Sequence, residues 1–182
     1  MPEITVIAHN IRSTHNVGSI FRTCEGFGVK KLILSGYTPY PDLSIQASAP
    51  ACAYLDGEIV ADDPRLPHIR EKLTRDIHKT ALGAESLVPF EYYDDISTWL
   101  DANTMPVIAL EQATNSVHIA DFTPPETFAL LLGEEVDGID NGLLSQCDHI
   151  VEIPMYGQKE SFNVSVAAGI ALYALSSGKL LL

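Results

Sequence analysis

The sequence predicts an α/β domain with a mainly parallel sheet and helices on both faces, and three observations support this. Short runs such as ITVIA, MPVIAL and TFALLL are apolar throughout, as strands covered on both faces are. Segments with helical spacing alternate with them, the pattern of strand–helix–strand units. The chain has 182 residues, 46% apolar and 19% charged, which suits a single core and is ordinary globular usage. One domain over residues 1–182 is expected, with no separate extension.

Residues 4–8 (ITVIA) are β-branched and form the first strand. A polar loop, 10–16, supplies helix N-caps, and Val17, Ile20, Phe21 and Cys24 then recur at helical spacing until Gly26 and Gly28 end the run. Residues 29–36 (VKKLILSG) are a second strand, and a helix of this length is what a parallel crossover needs. Residues 37–64, rich in Pro, Ala and Asp, carry no clear pattern. A short amphipathic helix follows, with Ile69, Leu73 and Ile77 on one face. Residues 81–89 read as a strand or extended loop, 94–102 as a helix holding Trp99, and 105–110 and 127–133 as core strands. A short helix over 140–147 and a strand over 149–155 precede a last helix, 163–175, which is apolar nearly all round and so expected to be buried.

Charge is unevenly distributed. Eleven Lys+Arg oppose 24 Asp+Glu, giving a net charge of -13. No long-range field draws a polyanion to such a chain, although a local basic site remains compatible with it. Residues 1–79 carry nine bases and nine acids, whereas 80–158 carry 14 acids and no Lys or Arg. An anionic partner should therefore meet the N-terminal half, around Arg12, Arg22, Lys30 and Lys31. The basic run from Arg65 to Lys79 reads as a solvated helix face interleaved with Glu71 and Asp76. Cys24, Cys52 and Cys147 lack metal-ligand spacing and read as small apolar residues of a reducing, cytoplasmic setting. No run approaches a membrane span, and no metal site is expected.

Ligands of parallel sheets bind beyond the carboxyl ends of the strands. Three such ends are unusual here: residues 10–16 with Arg22 downstream, 133–138 (GEEVDG), and 154–163 (PMYGQKESFN). Each has an ordinary explanation in turns and caps, but their coincidence at strand ends points to a site. The phosphate-binding GxxxxGK[ST] is missing, and GEEVDG puts carboxylates where phosphate needs bare N–H groups. An acid-lined, glycine-framed pocket suits a neutral or cationic ligand such as a sulfonium.

The segments NIRSTHNVGSIFRT (10–23), LLLGEEVDGI (130–139) and IPMYGQKESFNVSVAAGIALY (153–173) resemble the three motifs of SpoU/TrmH-type RNA 2′-O-ribose methyltransferases, within the SPOUT superfamily. The match spans almost the whole chain, and the third motif is the most specific. The resemblance implies a C-terminal deep trefoil knot, a homodimer with active sites shared between chains, and S-adenosylmethionine as cofactor. It also implies transfer of a methyl group to a ribose 2′-OH of structured RNA, with tRNA favoured over ribosomal RNA. By motif position, Leu110, Gly133, Ile153 and Phe162 would hold the cofactor, largely through backbone groups, so that Gly133→Val would set a branched side chain against it. Arg22, Asn16, Glu135, Ser161 and Asn163 would be the catalytic set.

An arginine is a poor base, because its pKa exceeds about 12, so Arg22 is better suited to hold a phosphate or a developing oxyanion. Six residues of helix leave Asn16 and Arg22 about 120° apart, so Asn16 must sit at the helix start or act from the other subunit. Phe162 stands where many members have Leu. The competing reading is a dimeric module that binds S-adenosylmethionine or RNA but has lost catalysis, serving as scaffold or regulator. A Rossmann-like nucleotide enzyme is a third, without a fingerprint to support it. A helper protein that supplies basic surface is compatible with the acidic charge.

Overall fold

A computed structural model describes residues 2–46, 51–60 and 62–176. Among the described residues, nine strands form one sheet in the order β4-β3-β5-β2-β1-β8-β6-β9-β7. These are β1 (Glu3–His9), β2 (Lys31–Ser35), β3 (Cys52–Leu55), β4 (Glu58–Val60), β5 (Phe90–Tyr93), β6 (Val107–Leu110), β7 (Val117–His118), β8 (Thr127–Leu132) and β9 (His149–Glu152). Every pairing is parallel except β3–β4, a hairpin turning on Asp56 and Gly57, both at positive φ.

Helices cover both faces, as the continuous apolar strands require. Val6, Leu32, Leu34, Ile108, Phe128 and Leu130 point to the face where α1 (Thr14–Gly26), α2 (Pro67–Ala81) and α6 (Val164–Ser176) pack. Ile7, Ile33, Ala109, Ala129 and Leu131 point to the other, under α4 (Ile96–Ala102) and the short α5 (Asn141–Leu144). Phe21 of α1 is fully buried and meets Phe90 edge-on at 5.6 Å. Burial of such a ring contributes roughly 1.5–3 kcal/mol. At Gly18 a methyl group would lie 2.3 Å from the Ile77 carbonyl oxygen, so α1 and α2 touch backbone to backbone.

Several elements differ from the sequence reading. Residues 81–89 are neither strand nor loop throughout: Leu82 and Gly83 are left-handed and lead into a helical turn, α3 (Ala84–Leu87). The strand is β5, central between β3 and β2, and its Glu91 is neutralised by Lys31 at 2.5 Å. The stretch 37–64 holds a 3-10 turn (Leu43–Ile45) and the β3–β4 hairpin; its residues 47–50 and 61 lie outside those described. The helix expected over 140–147 is only Asn141–Leu144, and β9 ends at Glu152. The last helix is half buried: Ala168, Ala171, Leu172 and Leu175 face the core, while Val166 and Tyr173 are exposed.

The basic run is also only partly a solvated face. Arg65 precedes α2, lies over the Tyr40 ring at 3.5 Å and bonds Asp63 at 2.5 Å. Lys72, Arg75 and Lys79 are exposed on α2 as expected. No helix of the described residues is long and apolar enough to cross a membrane.

Candidate functional site

The loops that follow β6, β8 and β9, at the carboxyl ends of adjacent strands, enclose one pocket. It is lined by Leu110, Glu111 and Gln112 from the first loop, Leu132 to Gly138 from the second, and Glu152, Ile153, Ser161 and Phe162 from the third. Four residues expected to hold a ligand, Leu110, Gly133, Ile153 and Phe162, thus come together. Aliphatic and aromatic residues share the lining with five acidic ones, Glu111, Glu134, Glu135, Asp137 and Glu152, a composition suited to a ligand with an apolar body and a cationic centre.

Glu111 ties the loops together. Its carboxylate accepts the Gln112 backbone N–H at 2.8 Å and that of Ile139 at 2.9 Å. The Gln112 side-chain amide donates to the Glu160 carbonyl at 2.6 Å. Gly138, at φ +70°, lies so close that a methyl group there would be 2.2 Å from Glu111 Oε2. Gly133 lines the pocket and is also crowded by its own loop: a side chain there would meet Ile139 Cγ1 at 2.5 Å and the Gly138 backbone at 2.6 Å. The glycine is required by the tightness of its own loop, closed by Glu134 N–H to the Gly138 carbonyl at 3.2 Å.

Three motif residues converge at the rim. Asn16 lies in the first turn of α1, whose N-cap is Ser13. Its amide donates to Glu135 Oε1 at 2.8 Å and its carbonyl oxygen accepts from Asn163 Nδ2 at 3.2 Å. Asn163 also accepts the Ser165 backbone N–H at 3.0 Å, capping α6, so one side chain serves both the fold and the site. Burial pushes the Glu135 carboxyl up. The Asn16 amide and the backbone N–H groups of Glu135, Arg12 and Ser13 outweigh it, and Glu135 is held below the usual carboxylate range. Ser161 lines the pocket on the opposite loop.

Arg22 is not brought to this pocket by its own chain. It is exposed on α1, about 9 Å along the axis from Asn16, in a shallow cleft with Ser19, Thr23, Lys79 and Thr80. Among the described residues it forms no hydrogen bond or ion pair. Glu111 and Gln112 were missed by sequence reasoning, although both directly follow a core strand. Glu134 was not among the expected site residues. Yet its carboxylate takes the Tyr37 hydroxyl and the Arg12 guanidinium, the latter at 3.0 Å, and these contacts, Tyr37 first, hold its carboxyl low against partial desolvation. Burial pushes the Cys24 thiol up, and that of Cys147 to about 11, so neither is a ready nucleophile.

Comparison with known proteins identifies the family. The model of the SpoU rRNA Methylase family matches residues 3–66 and 61–173. A tRNA (guanosine(18)-2′-O)-methyltransferase of Aquifex aeolicus is 27% identical over 179 residues, covering 94% of this chain and 67% of that protein. A 23S rRNA (guanosine-2′-O-)-methyltransferase of Coxiella burnetii is 26% identical over 181 residues, covering 94% and 57%. Among solved structures, an AdoMet-bound rRNA methyltransferase from Sinorhizobium meliloti superposes with a TM-score of 0.69 at 23% identity, covering 94% of this chain and 55% of that one. This chain therefore spans roughly half to two thirds of these relatives, and the structural likeness speaks for the fold. With the family model matched across nearly the whole sequence, the chain belongs to the SpoU rRNA methylase family.

Proposed function

We propose that this chain binds S-adenosylmethionine in the three-loop pocket and methylates a ribose 2′-OH of structured RNA, tRNA in preference to ribosomal RNA. The observation that carries the reading is the convergence of Asn16, Glu135 and Asn163, from three separate motifs, at the rim of a pocket lined by Leu110, Gly133, Ile153 and Phe162. The lining fits the cofactor: apolar walls for an adenosine and carboxylates for a sulfonium. Leu110, Gly133, Ile153 and Phe162 would hold it, with Gly133 also keeping the 133–138 loop tight. When bound, the cofactor supplies an electrophilic methyl group.

This chain's own residues supply positioning and electrostatics. Asn16 fixes the Glu135 carboxylate and links it to Asn163, so the rim is set before substrate arrives. Ser161, on the facing loop, is a donor toward the same space. Arg22 stays a guanidinium and steadies either a substrate phosphate or the oxygen that loses its proton. For Arg22 to reach the pocket, a second copy must bring it.

A homodimer is therefore part of the proposal, and the exposed Val166 and Tyr173 with half-buried Ile170 form an apolar stripe on α6 that supports it. So is a C-terminal trefoil knot: β9 lies beyond β6 from β8, and the chain must return past the 110–112 loop, where Gln112 holds Glu160, to pack α6 on α1. A continuous nine-stranded sheet supports one domain over 1–182, and free Cys24, Cys52 and Cys147 support a cytoplasmic setting.

The test is transfer of labelled methyl from S-adenosylmethionine to total RNA from a strain lacking the protein. Alkali-resistant label in tRNA, lost in Arg22→Ala while cofactor still binds, is expected. Cofactor binding without transfer to any RNA would favour the non-catalytic module.

A further inference from the structure

We infer that Tyr37, held by Arg12 and Glu134 beside the pocket, is a stacking platform for a base of the RNA substrate. The inference rests on the RNA reading above and adds a recognition residue to it. Tyr37 follows β2, whose end abuts the loop after β1. The residue is 51% exposed, yet it is fixed at both ends. Its hydroxyl donates to Glu134, which lines the cofactor pocket. Its backbone N–H donates to Asn10 Oδ1 at 3.3 Å, and Gly36 before it is packed so tightly that a methyl group would lie 2.0 Å from that oxygen. Thr38, after it, is buried and bonds the carbonyls of Ala8 and Ser35 at 3.0 and 2.7 Å. An exposed aromatic ring that loses no freedom on binding is a pre-organised surface.

The Arg12 guanidinium stands over one face of the ring, 5.6 Å from its centroid, while its side chain is 64% exposed, so the other face is the one a base would take, with a cation within reach of its phosphate. Arg12 also donates its backbone N–H to Glu135 at 3.3 Å, which joins the platform to the rim that holds Asn16. The net charge of -13 gives the requirement its force. Counterion release supplies most RNA affinity in basic proteins, and this chain has little of it to draw on. Stacking is indifferent to net charge and contributes about 1–3 kcal/mol per base, or about 5- to 150-fold in affinity.

The test is fluorescence anisotropy of a short labelled single-stranded RNA, with bulk tRNA as competitor, for wild type, Tyr37→Ala and Tyr37→Phe. Calorimetry with S-adenosylhomocysteine and methyl transfer to RNA are measured on the same preparations. Tyr37→Ala is expected to weaken RNA binding by about 5- to 150-fold with an unchanged salt slope. Tyr37→Phe, which keeps the ring and loses only the bond to Glu134, is expected to retain most of the affinity, and S-adenosylhomocysteine should bind all three alike. Wild-type RNA affinity in Tyr37→Ala overturns the inference. So does an equal loss of S-adenosylhomocysteine binding, which would make Tyr37 a prop for Glu134. Wild-type methyl transfer reports separately on the enzyme reading: the platform stands or falls on RNA binding.

Discussion

Gly133→Ala isolates the tight turn on which the pocket depends. The added methyl group would lie 2.6 Å from the Gly138 carbonyl carbon, 2.7 Å from its oxygen and 2.5 Å from Ile139 Cγ1. Ile139 can rotate, but a backbone cannot, and ordinary contact at 3.4 Å requires residue 138 to retreat by about 0.8 Å. That movement opens the 3.2 Å bond from Glu134 N–H to Gly138 and pulls on Glu111, which holds the Ile139 N–H. Overpacking of this kind costs about 1–3 kcal/mol, and a lost hydrogen bond about 1 kcal/mol. We expect a loss of about 2–3 kcal/mol and a Tm lower by roughly 5–10 °C. Because Glu134 and Glu135 ride on the same loop, S-adenosylhomocysteine affinity measured by calorimetry should fall at least about tenfold, or about 1.4 kcal/mol. Gly157→Ala, where a methyl group meets nothing within 4 Å, is the control and should change neither. An unaltered Tm and affinity in Gly133→Ala would refute the tight-turn argument.

Gly18→Ala would set a methyl group 2.2 Å from Thr80 Oγ1 and 2.3 Å from the Ile77 carbonyl; a loss of about 1–3 kcal/mol in urea unfolding is expected, and Gly26→Ala, in open space, should be neutral. Glu135 has a folded-state pKa below its ordinary 4.5, so as pH falls the unfolded chain takes up the proton first. Its carboxylate therefore stabilises the fold above 4.5, and that contribution is lost as pH falls through the folded value. The Tm difference between wild type and Glu135→Gln should shrink below 4.5, whereas a constant difference would contradict it. Val166→Glu, on the exposed stripe of α6, should shift light-scattering mass from dimer to monomer; a wild type already monomeric at working concentration would remove the shared site.

The parallel core was legible because β1, β6 and β8 are apolar at their buried positions apart from Thr5, and buried strands of that kind need no periodicity to be recognised. The strand β5 was not, because FEYY carries a glutamate whose partner, Lys31, lies 60 residues away in sequence. The Asn16–Glu135–Asn163 cluster was legible through motif resemblance, and an angle of about 120° on α1 already separated Arg22 from Asn16. No local pattern marks Glu111 or Tyr37. Each acquires its role only when a distant loop, 133–139 in both cases, folds against it. Gly133 shows the same limit: the crowding of its loop by the Gly138 backbone is visible only in three dimensions.

In the proposed function, one chain's pocket and another chain's Arg22 together methylate RNA. Mixing Arg22→Ala with Glu135→Ala chains under conditions of subunit exchange, then assaying methyl transfer to RNA, tests it directly. Each variant alone should be inactive. Half of the dimers in an equal mixture are mixed, and each holds one intact site of two, so recovery of about a quarter of wild-type activity is predicted. A mixture as inactive as its components, with subunit exchange demonstrated, would contradict it.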